Sequence, residues 1–500
     1  MAKKNLLESL VLSLNQSELK RLALYTKAYA SNKSYMDLFK AIKNNQSKKP
    51  EKYTNKNAQQ RRYLYRIILE SLVQKRDKSI ESEVLFLINS ANYLLKKQLP
   101  EHAYHSVNKA LFIVSKYEMI GYHLQLIEIE KQIRMYINPK GYRGDEEIFE
   151  EEVNLIEQQK QLQTLKAIFN HIYNYKKRYG YVDLELWNTL YREIREMGAI
   201  ANVNECYTKR AAYHYYHSQT LLYFIRQSHQ KAYEFSSAMI HVDPAPLSKQ
   251  EYLSGMLEHS TSCLCLGRTD ELLTTLSQVK NLYKRGVFGK YENIALKIFY
   301  YVANYELLAY VFEGNKEKVK AKLEEIESEL EYWGSKIPVA MKMILATGLK
   351  LGYGSIGDYK KMNKEIHFLI DNYKSGLRMD AYEDGLMCNL MYIFMKDDLD
   401  YLENQALFAY RHFKKYEIKD NVDVEFKLNS AKLFLDYSRM KISKTKFLQA
   451  FKKEIEFKLS HFDNHFLEMD YPYLIWVNSQ LSGKKFLETA REMSVKHLNK

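Results

Sequence analysis

The feature that most constrains the fold of this chain is a turn that keeps returning. Short polar segments interrupt apolar runs at Gln227-Ser228-His229-Gln230, Gly267-Arg268-Thr269-Asp270, Gly314-Asn315-Lys316-Glu317, Gly357-Asp358-Tyr359-Lys360, Asp397-Asp398-Leu399-Asp400 and Lys441-Ile442-Ser443-Lys444. One anchor per turn (227, 267, 314, 357, 398 and 441) gives intervals of 40, 47, 43, 41 and 43 residues. An earlier turn of the same kind is Gln98-Leu99-Pro100-Glu101. Intervals this constant mark one supersecondary unit repeated along the chain. Between turns the apolar residues recur every three or four positions, so each unit reads as a pair of helices. Ile80–Leu99 shows the pattern, with Val84, Leu85, Leu87, Ile88, Ala91, Leu94 and Leu95 expected on one face.

Turn-forming residues are scarce. The 500 residues include 18 glycines and 7 prolines, too few for the many tight turns of a β-rich fold. The prolines, at 50, 100, 139, 244, 246, 338 and 472, fall between helical patterns or at helix starts, where a missing N–H is tolerated. The expected class is all-α.

Ala91, Ala103 and Ala110 follow one another at spacings of twelve and seven. In this the chain resembles the tetratricopeptide-repeat family, which places small residues where two helices of a hairpin touch and where the second meets the next repeat. Gly267, Gly314 and Gly357 stand where the family has its turn glycine. The period here is longer than the family's roughly 34 residues, and the family's aromatic and proline signature is mostly missing. The resemblance covers residues 80–460. It implies a right-handed α-α superhelix of helical hairpins whose concave face binds a peptide or protein segment. Tyr213, Tyr215, Tyr216 and Tyr223 are the candidate groove residues, tyrosine being a favoured interface anchor. The segments SLNQSELKRLALYTKAYASNKSYMDLFKAI and RRYLYRIILESL also resemble an uncharacterised bacterial family with a basic head before helical repeats, which implies architecture and no activity.

Charge is concentrated at the front. Residues 1–80 hold 18 Lys and Arg against 6 Asp and Glu; of 75 and 61 in the whole chain, 57 and 55 remain for the rest. The expected division is therefore a basic helical module over 1–80 and a nearly neutral solenoid over 81–500. Helices are expected at 17–30, 34–45 and 57–76, with Ser17 opening the first and Asn57 capping the third. Between Lys40 and Arg66 stand nine basic residues and one acid, Glu51. On the third helix Leu64, Tyr65, Ile68 and Leu72 form the inward stripe, while Gln59, Arg62 and Arg66 project from the opposite side with Tyr63 beside them. The linker adds Lys48, Lys49, Lys52 and Lys56. Arginine and glutamine on one exposed helix face suit phosphates and base edges, so residues 40–66 are a candidate nucleic-acid contact. The plainer reading is a solvated basic face.

Motifs for chemistry are weak. Gly352-Tyr353-Gly354-Ser355-Ile356-Gly357 matches G-x-G-x-x-G, but a helical pattern precedes it and no βαβ unit surrounds it. His461 and His465 sit four apart without a thiol ligand or an H-E-x-x-H context. His102/His105 and His214/His217 read as hydrogen-bonded structural pairs. Cys263 and Cys265 point to different faces of a helix, which makes them poor co-ligands and ordinary buried residues. Asp145 is expected to cap a helix whose first turns carry Glu146, Glu147, Glu150, Glu151 and Glu152. Leu6, Leu7, Leu10 and Leu14 are expected on one face of an amphipathic helix. Glu8 interrupts that run as a signal peptide, and no apolar stretch nears the roughly 18 residues of a membrane span. The four cysteines, Cys206, Cys263, Cys265 and Cys388, form no C-x-x-C pair and read as reduced thiols in a cytoplasmic protein. The expected function is a non-enzymatic peptide- or protein-binding scaffold without cofactor or metal. The alternative is a regulator whose basic module contacts DNA or RNA while the solenoid binds a partner.

Overall fold

The structure is a computed structural model that describes residues 6–29, 38–40, 42–43, 58–73, 79–137, 144–179, 182, 184–289, 291–372, 379–415, 422–460 and 471–498. The described residues form helices and turns, with no strand among them. No described helix is long and apolar enough to cross a membrane. The chain divides into two compact units, residues 1–114 with 125–142, and residues 115–124 with 143–500. The expected boundary near residue 80 falls inside the first unit.

The first unit opens with α1 (Leu6–Ser13), α2 (Gln16–Tyr29) and α3 (Ala58–Val73). Leu7 and Val11 are buried against Leu22 of α2 and Leu64, Ile67 and Ile68 of α3, with Leu10 and Leu14 beside them. Leu6 points away and is 73% exposed, so the buried face of α1 is Leu7-Leu10-Val11-Leu14. α2 starts one residue earlier than expected, because Asn15 caps it and Ser17 lies inside it. Asn15 Oδ1 accepts the Glu18 N–H at 3.0 Å and Glu18 Oε2 accepts the Asn15 N–H at 2.8 Å, a reciprocal capping box. Of the second expected helix, residues 38–40 and 42–43 are helical, and Leu38, Phe39 and Ile42 join the same core. Asn57 lies outside the described residues.

Next come α4 (Ile80–Lys96), α5 (Pro100–Lys116) and α6 (Ile120–Arg134). Ala91, Ala103 and Ala110 are fully buried. Val84 and Ile88 share the buried face of α4 with Ala91, whereas Leu85 is 42% exposed and lies off it.

The second unit holds α7 (Asp145–Tyr179), α8 (Leu184–Glu196) and seven hairpins. They are α9 (Lys209–Ile225) with α10 (His229–Ile240), α11 (Lys249–Cys265) with α12 (Thr269–Lys284), α13 (Glu292–Phe312) with α14 (Lys316–Trp333), and α15 (Val339–Ile356) with α16 (Tyr359–Asp371). α17 (Met379–Lys396) with α18 (Leu399–Lys415), α19 (Val422–Ser438) with α20 (Lys444–Ser460), and α21 (Tyr471–Ser482) with α22 (Phe486–Leu498) follow. The two helices of each hairpin pack on each other, and each second helix before the last packs on the first helix of the next hairpin. First helices also meet directly, α11 on α13, α13 on α15, α15 on α17 and α17 on α19. Asp145 is the first residue of α7 rather than its cap; the Gly144 carbonyl accepts the Ile148 N–H at 3.1 Å.

The recurring turn has one conformation. A left-handed residue follows the first helix at Gln98, Gln227, Gly267, Gly314, Gly357, Asp397 and Met440, with φ between 57° and 87°. In the last two turns this residue stands one position before the expected anchor. At Leu99, Ser228, Arg268, Asn315, Asp358 and Lys441 the next N–H donates to the carbonyl five residues back, over 2.9–3.1 Å. This is the Schellman closure that satisfies the end of a helix while reversing the chain. Glycine occupies three of these positions because it takes positive φ without strain.

The last hairpin does more than extend the row. α22 lies against α13 and α15, which precede it by more than a hundred residues. Ser494 Oγ donates to the Phe312 carbonyl at the end of α13 over 2.9 Å. Tyr471 packs on Phe312, Tyr473 stacks on Phe426 of α19, and Trp476 meets Phe394 of α17 edge-on. The C-terminal hairpin thus covers part of the surface formed by the first helices.

Candidate functional site on the first helices of the repeat array

A half-buried polar wall crosses α7, α9, α11 and α13. It begins where α9 is anchored. Glu118 accepts the main-chain N–H groups of Lys209 and Arg210 at 2.9 and 2.8 Å, while Thr208 Oγ1 accepts that of Ala211. A carboxylate at a helix N-terminus is favoured by the exposed N–H groups and the helix dipole. This fixes the rotation of α9, and with it Arg210, His214 and His217 at successive turns.

Glu251 is the hub. Arg210 donates from Nη2 to both of its carboxylate oxygens at 2.9 and 3.1 Å, and His214 Nε2 lies 3.0 Å from Oε1. Its second oxygen accepts the Ser248 N–H at 2.8 Å in a capping box that starts α11. Burial pushes the Glu251 carboxyl up, but His214, Arg210 and the Ser248 amide outweigh it and hold the group well below the usual carboxylate range. Burial likewise holds the His214 imidazole below its ordinary value, against the pull of Glu251. Lys166 of α7 stands 3.9 Å from Glu251, its pKa lowered by burial and by Arg210.

One turn further along α9 and two along α11, His217 Nε2 meets Glu258 Oε1 at 2.7 Å, and the His217 ring stacks on Phe169 of α7 at 3.9 Å. Lys297 of α13 donates to Ser254 Oγ at 2.8 Å, and burial lowers its pKa against the pull of Glu258. This wall also concentrates buried polar atoms without a hydrogen-bond partner: Arg210 Nε, His217 Nδ1, Thr220 Oγ1 and Glu258 Oε2. Such atoms are costly in a folded protein unless something meets them.

The structure distributes the expected groove tyrosines over two environments. Tyr213 and Tyr215 are buried, their hydroxyls donating to the Glu251 and Ala201 carbonyls at 2.6 and 3.2 Å. Tyr216 and Tyr223 are half-buried against Phe235 of α10, with Tyr223 stacked on it at 5.5 Å. The wall is carried instead by their neighbours His214 and His217, which the sequence shows as a pair three apart beside Glu251 and Glu258 on a later helix. Those two histidines are hydrogen-bonded as expected. His102 and His105 are exposed instead.

On α3, Gln59, Arg62 and Arg66 are exposed on one face, opposite buried Leu64 and Ile68. Arg66 pairs with Glu70 at 3.4 Å and lies 5.4 Å over the half-buried Tyr63 ring. Lys48, Lys49, Lys52 and Lys56 lie outside the described residues, as do His461 and His465. Of the G-x-G-x-x-G residues, Gly352 and Gly354 lie inside α15 and Gly357 is its left-handed cap, so the segment is helix and turn.

For reactive groups, burial pushes the Cys206 thiol up to about 11 and those of Cys263 and Cys388 up to about 12. These are protonated thiols at neutral pH, unlike an activated nucleophile. Among the described residues, His259, Cys263 and Glu271 form a group whose donor atoms all lie within 4.8 Å of one another, a cluster that could hold a metal ion. No protein-family model, curated protein or solved structure matches this chain.

Proposed function

We propose that the chain is a non-enzymatic scaffold that binds a peptide or protein segment on its first helices, within a right-handed, tetratricopeptide-like superhelix. The observation that carries this reading is the wall across α7, α9, α11 and α13, where the partly exposed side chains of Lys166, Arg210, Glu251 and Glu258 line adjoining helices. An extended peptide offers both N–H and C=O groups at regular spacing and satisfies such a surface. The C-terminal hairpin already covers α13, α15 and α17, so the surface assigned to the partner is the α7–α11 part. The test is selection from a displayed peptide library on the full chain, followed by titration of an enriched peptide. His217→Ala and Glu258→Gln are expected to weaken that peptide at least tenfold. No enrichment, or affinities indifferent to both changes, sinks the reading.

A second reading rests on α3. Gln59, Arg62 and Arg66 share one exposed face in a segment where base far exceeds acid, which supports a regulator whose basic module contacts nucleic acid. With some six phosphate contacts, affinity for duplex DNA or structured RNA falls about a thousandfold between about 50 and about 200 mM salt. Arg62→Ala with Arg66→Ala in the full chain flattens that slope; a slope untouched by the pair removes this reading.

A further inference from the structure

We propose that His259, Cys263 and Glu271 form a binding site for a zinc-class divalent cation in the α11–α12 hairpin. His259 and Cys263 stand one turn apart on α11, both buried, and Glu271 stands half-exposed in the first turn of α12. The Gly267 turn, closed by the Arg268 N–H on the Cys263 carbonyl at 2.9 Å, brings the two helices together beside this cluster. His259 Nε2 lies 3.2 Å from Glu271 Oε1 and 3.5 Å from Cys263 Sγ. A tetrahedral ion with N, S and O ligands at ordinary zinc distances needs an N···O edge of about 3.4 Å and an N···S edge of about 3.6 Å. Two edges of that tetrahedron are therefore already in place. The third, from Cys263 Sγ to the Glu271 carboxylate, lies within 4.8 Å and closes by a small shift of the two groups with the hydrogen bonds to Glu271 kept.

The hydrogen bonds around the cluster orient the donors. Ser236 Oγ lies 3.0 Å from the Tyr233 carbonyl of its own helix and 3.1 Å from His259 Nδ1, so with its proton on that carbonyl it accepts from Nδ1–H, the tautomer the proposed site uses. A proton on Nδ1 places the Nε2 lone pair toward Cys263 and Glu271. Three electron-pair donors then converge on one point, an arrangement that a cation stabilises. Glu271 is held from outside: Tyr233 donates its hydroxyl to the carboxylate at 2.9 and 3.0 Å, and Arg268 donates to that hydroxyl at 3.0 Å. A fixed imidazole N–H and a hydrogen-bonded carboxylate are the outer partners that hold metal ligands in register. A thiolate, a neutral imidazole and a carboxylate favour zinc or cobalt over magnesium or calcium. On binding, the Cys263 thiol gives one proton to solvent and its sulfur pair to the ion, so a 2+ ion with two anionic ligands is neutral. Three protein ligands leave a fourth position for solvent or for an atom of a bound partner.

The experiment is titration of the reduced, chelator-stripped full chain with Co²⁺ and then Zn²⁺. A single saturating equivalent is expected, with a thiolate-to-cobalt charge-transfer band, displacement by zinc and release of one proton per ion. Cys263→Ser and His259→Gln are expected to abolish the band, and Ser236→Ala to weaken zinc about 10- to 100-fold. Glu271→Gln, at a half-exposed position, removes a ligand with little risk to the fold and weakens zinc at least tenfold. Absence of a saturable equivalent in the wild-type chain overturns the site, because the cluster is then an ordinary Ser236–His259–Glu271 hydrogen-bond chain. A band that persists in Cys263→Ser overturns the assignment of the thiolate.

Discussion

Asn304 of α13 points its side-chain oxygen into the space above Gly348 of α15: a Cβ on residue 348 would lie 1.9 Å from Asn304 Oδ1. That oxygen is buried and has no hydrogen-bond partner. The two first helices approach this closely only because residue 348 has no side chain, and Gly352 repeats the device, its Cβ position lying 3.1 Å from Leu307 and Leu323. These glycines let neighbouring repeats pack closely.

Gly348→Ala is therefore expected to destabilise the α13–α15 contact by about 1–3 kcal/mol, the cost of overpacking a filled site. Asn304→Ala alone removes an unpartnered buried carbonyl and is expected to cost less. The double variant relieves the overlap, so the pair is non-additive, with a coupling of at least about 1 kcal/mol. Urea denaturation of the four proteins measures it; additive effects contradict the contact.

The turns offer a converse test. Met440 takes φ 57° at the α19–α20 turn and is 78% exposed, so its side chain contributes little packing to set against left-handed strain. Met440→Gly is expected to stabilise that hairpin by about 1 kcal/mol. Gly357→Ala, at φ 87°, is expected to destabilise its own turn by a similar amount. Hydrogen exchange resolved by hairpin reads both, and equal protection in wild type and Met440→Gly counts against it.

How far these features were legible in the sequence depends on range. The turns and the helical class follow from local patterns, because a Schellman closure needs only a helix end, a left-handed residue and the next N–H. The exposed face of Gln59, Arg62 and Arg66 was legible for the same reason, being one wheel on one helix. Tyr213 and Tyr215 show where local reading ends. Their burial depends on the Glu251 carbonyl and Ala201, which only the packed neighbours bring near. The His259–Cys263 spacing of four is visible in the chain, but Glu271 joins it only when the Gly267 turn folds. The return of α22 to α13 spans well over a hundred residues and leaves no periodic signal.

Glu251 gives the wall a defined pH response. Its folded-state pKa is depressed below the ordinary 4.5, so the stability it contributes is complete above that value and is lost as pH falls below it. His214 adds a higher window. Its imidazole is held below 6.5, so stability is full above that value and declines as pH drops and the buried ring must take up a proton. Glu251→Gln is expected to cost about 2 kcal/mol near neutrality, the worth of hydrogen bonds to a charged group, and to remove the acid limb. Urea midpoints from about pH 7 to about pH 3 check this; parallel profiles for the two proteins contradict it.

A buried polar knot helps to tie down the C-terminal hairpin. Tyr473 donates its hydroxyl to Asp384 Oδ1 at 2.7 Å, and Lys350 of α15 pairs with Oδ2 of the same carboxylate at 3.0 Å. Asp384 is 5% exposed, so neither partner is replaced by solvent without cost. Tyr473→Phe keeps the Lys350–Asp384 pair and removes one hydrogen bond, which is worth about 1.5 kcal/mol when the acceptor is charged. Amide protection across α21 and α22 is therefore expected to fall about tenfold, with α15 and α17 unchanged. Asp384→Asn instead leaves the Lys350 ammonium buried without its carboxylate and is expected to cost about 3–5 kcal/mol spread over α15, α17 and α21. The contrast between the two variants separates undocking of the hairpin from collapse of the core beneath it. If Tyr473→Phe leaves α21 as protected as in the wild type, the hydroxyl does not hold the hairpin, and its seat on the first helices rests on packing contacts such as those of Tyr471 and Trp476 and on the Ser494 hydrogen bond.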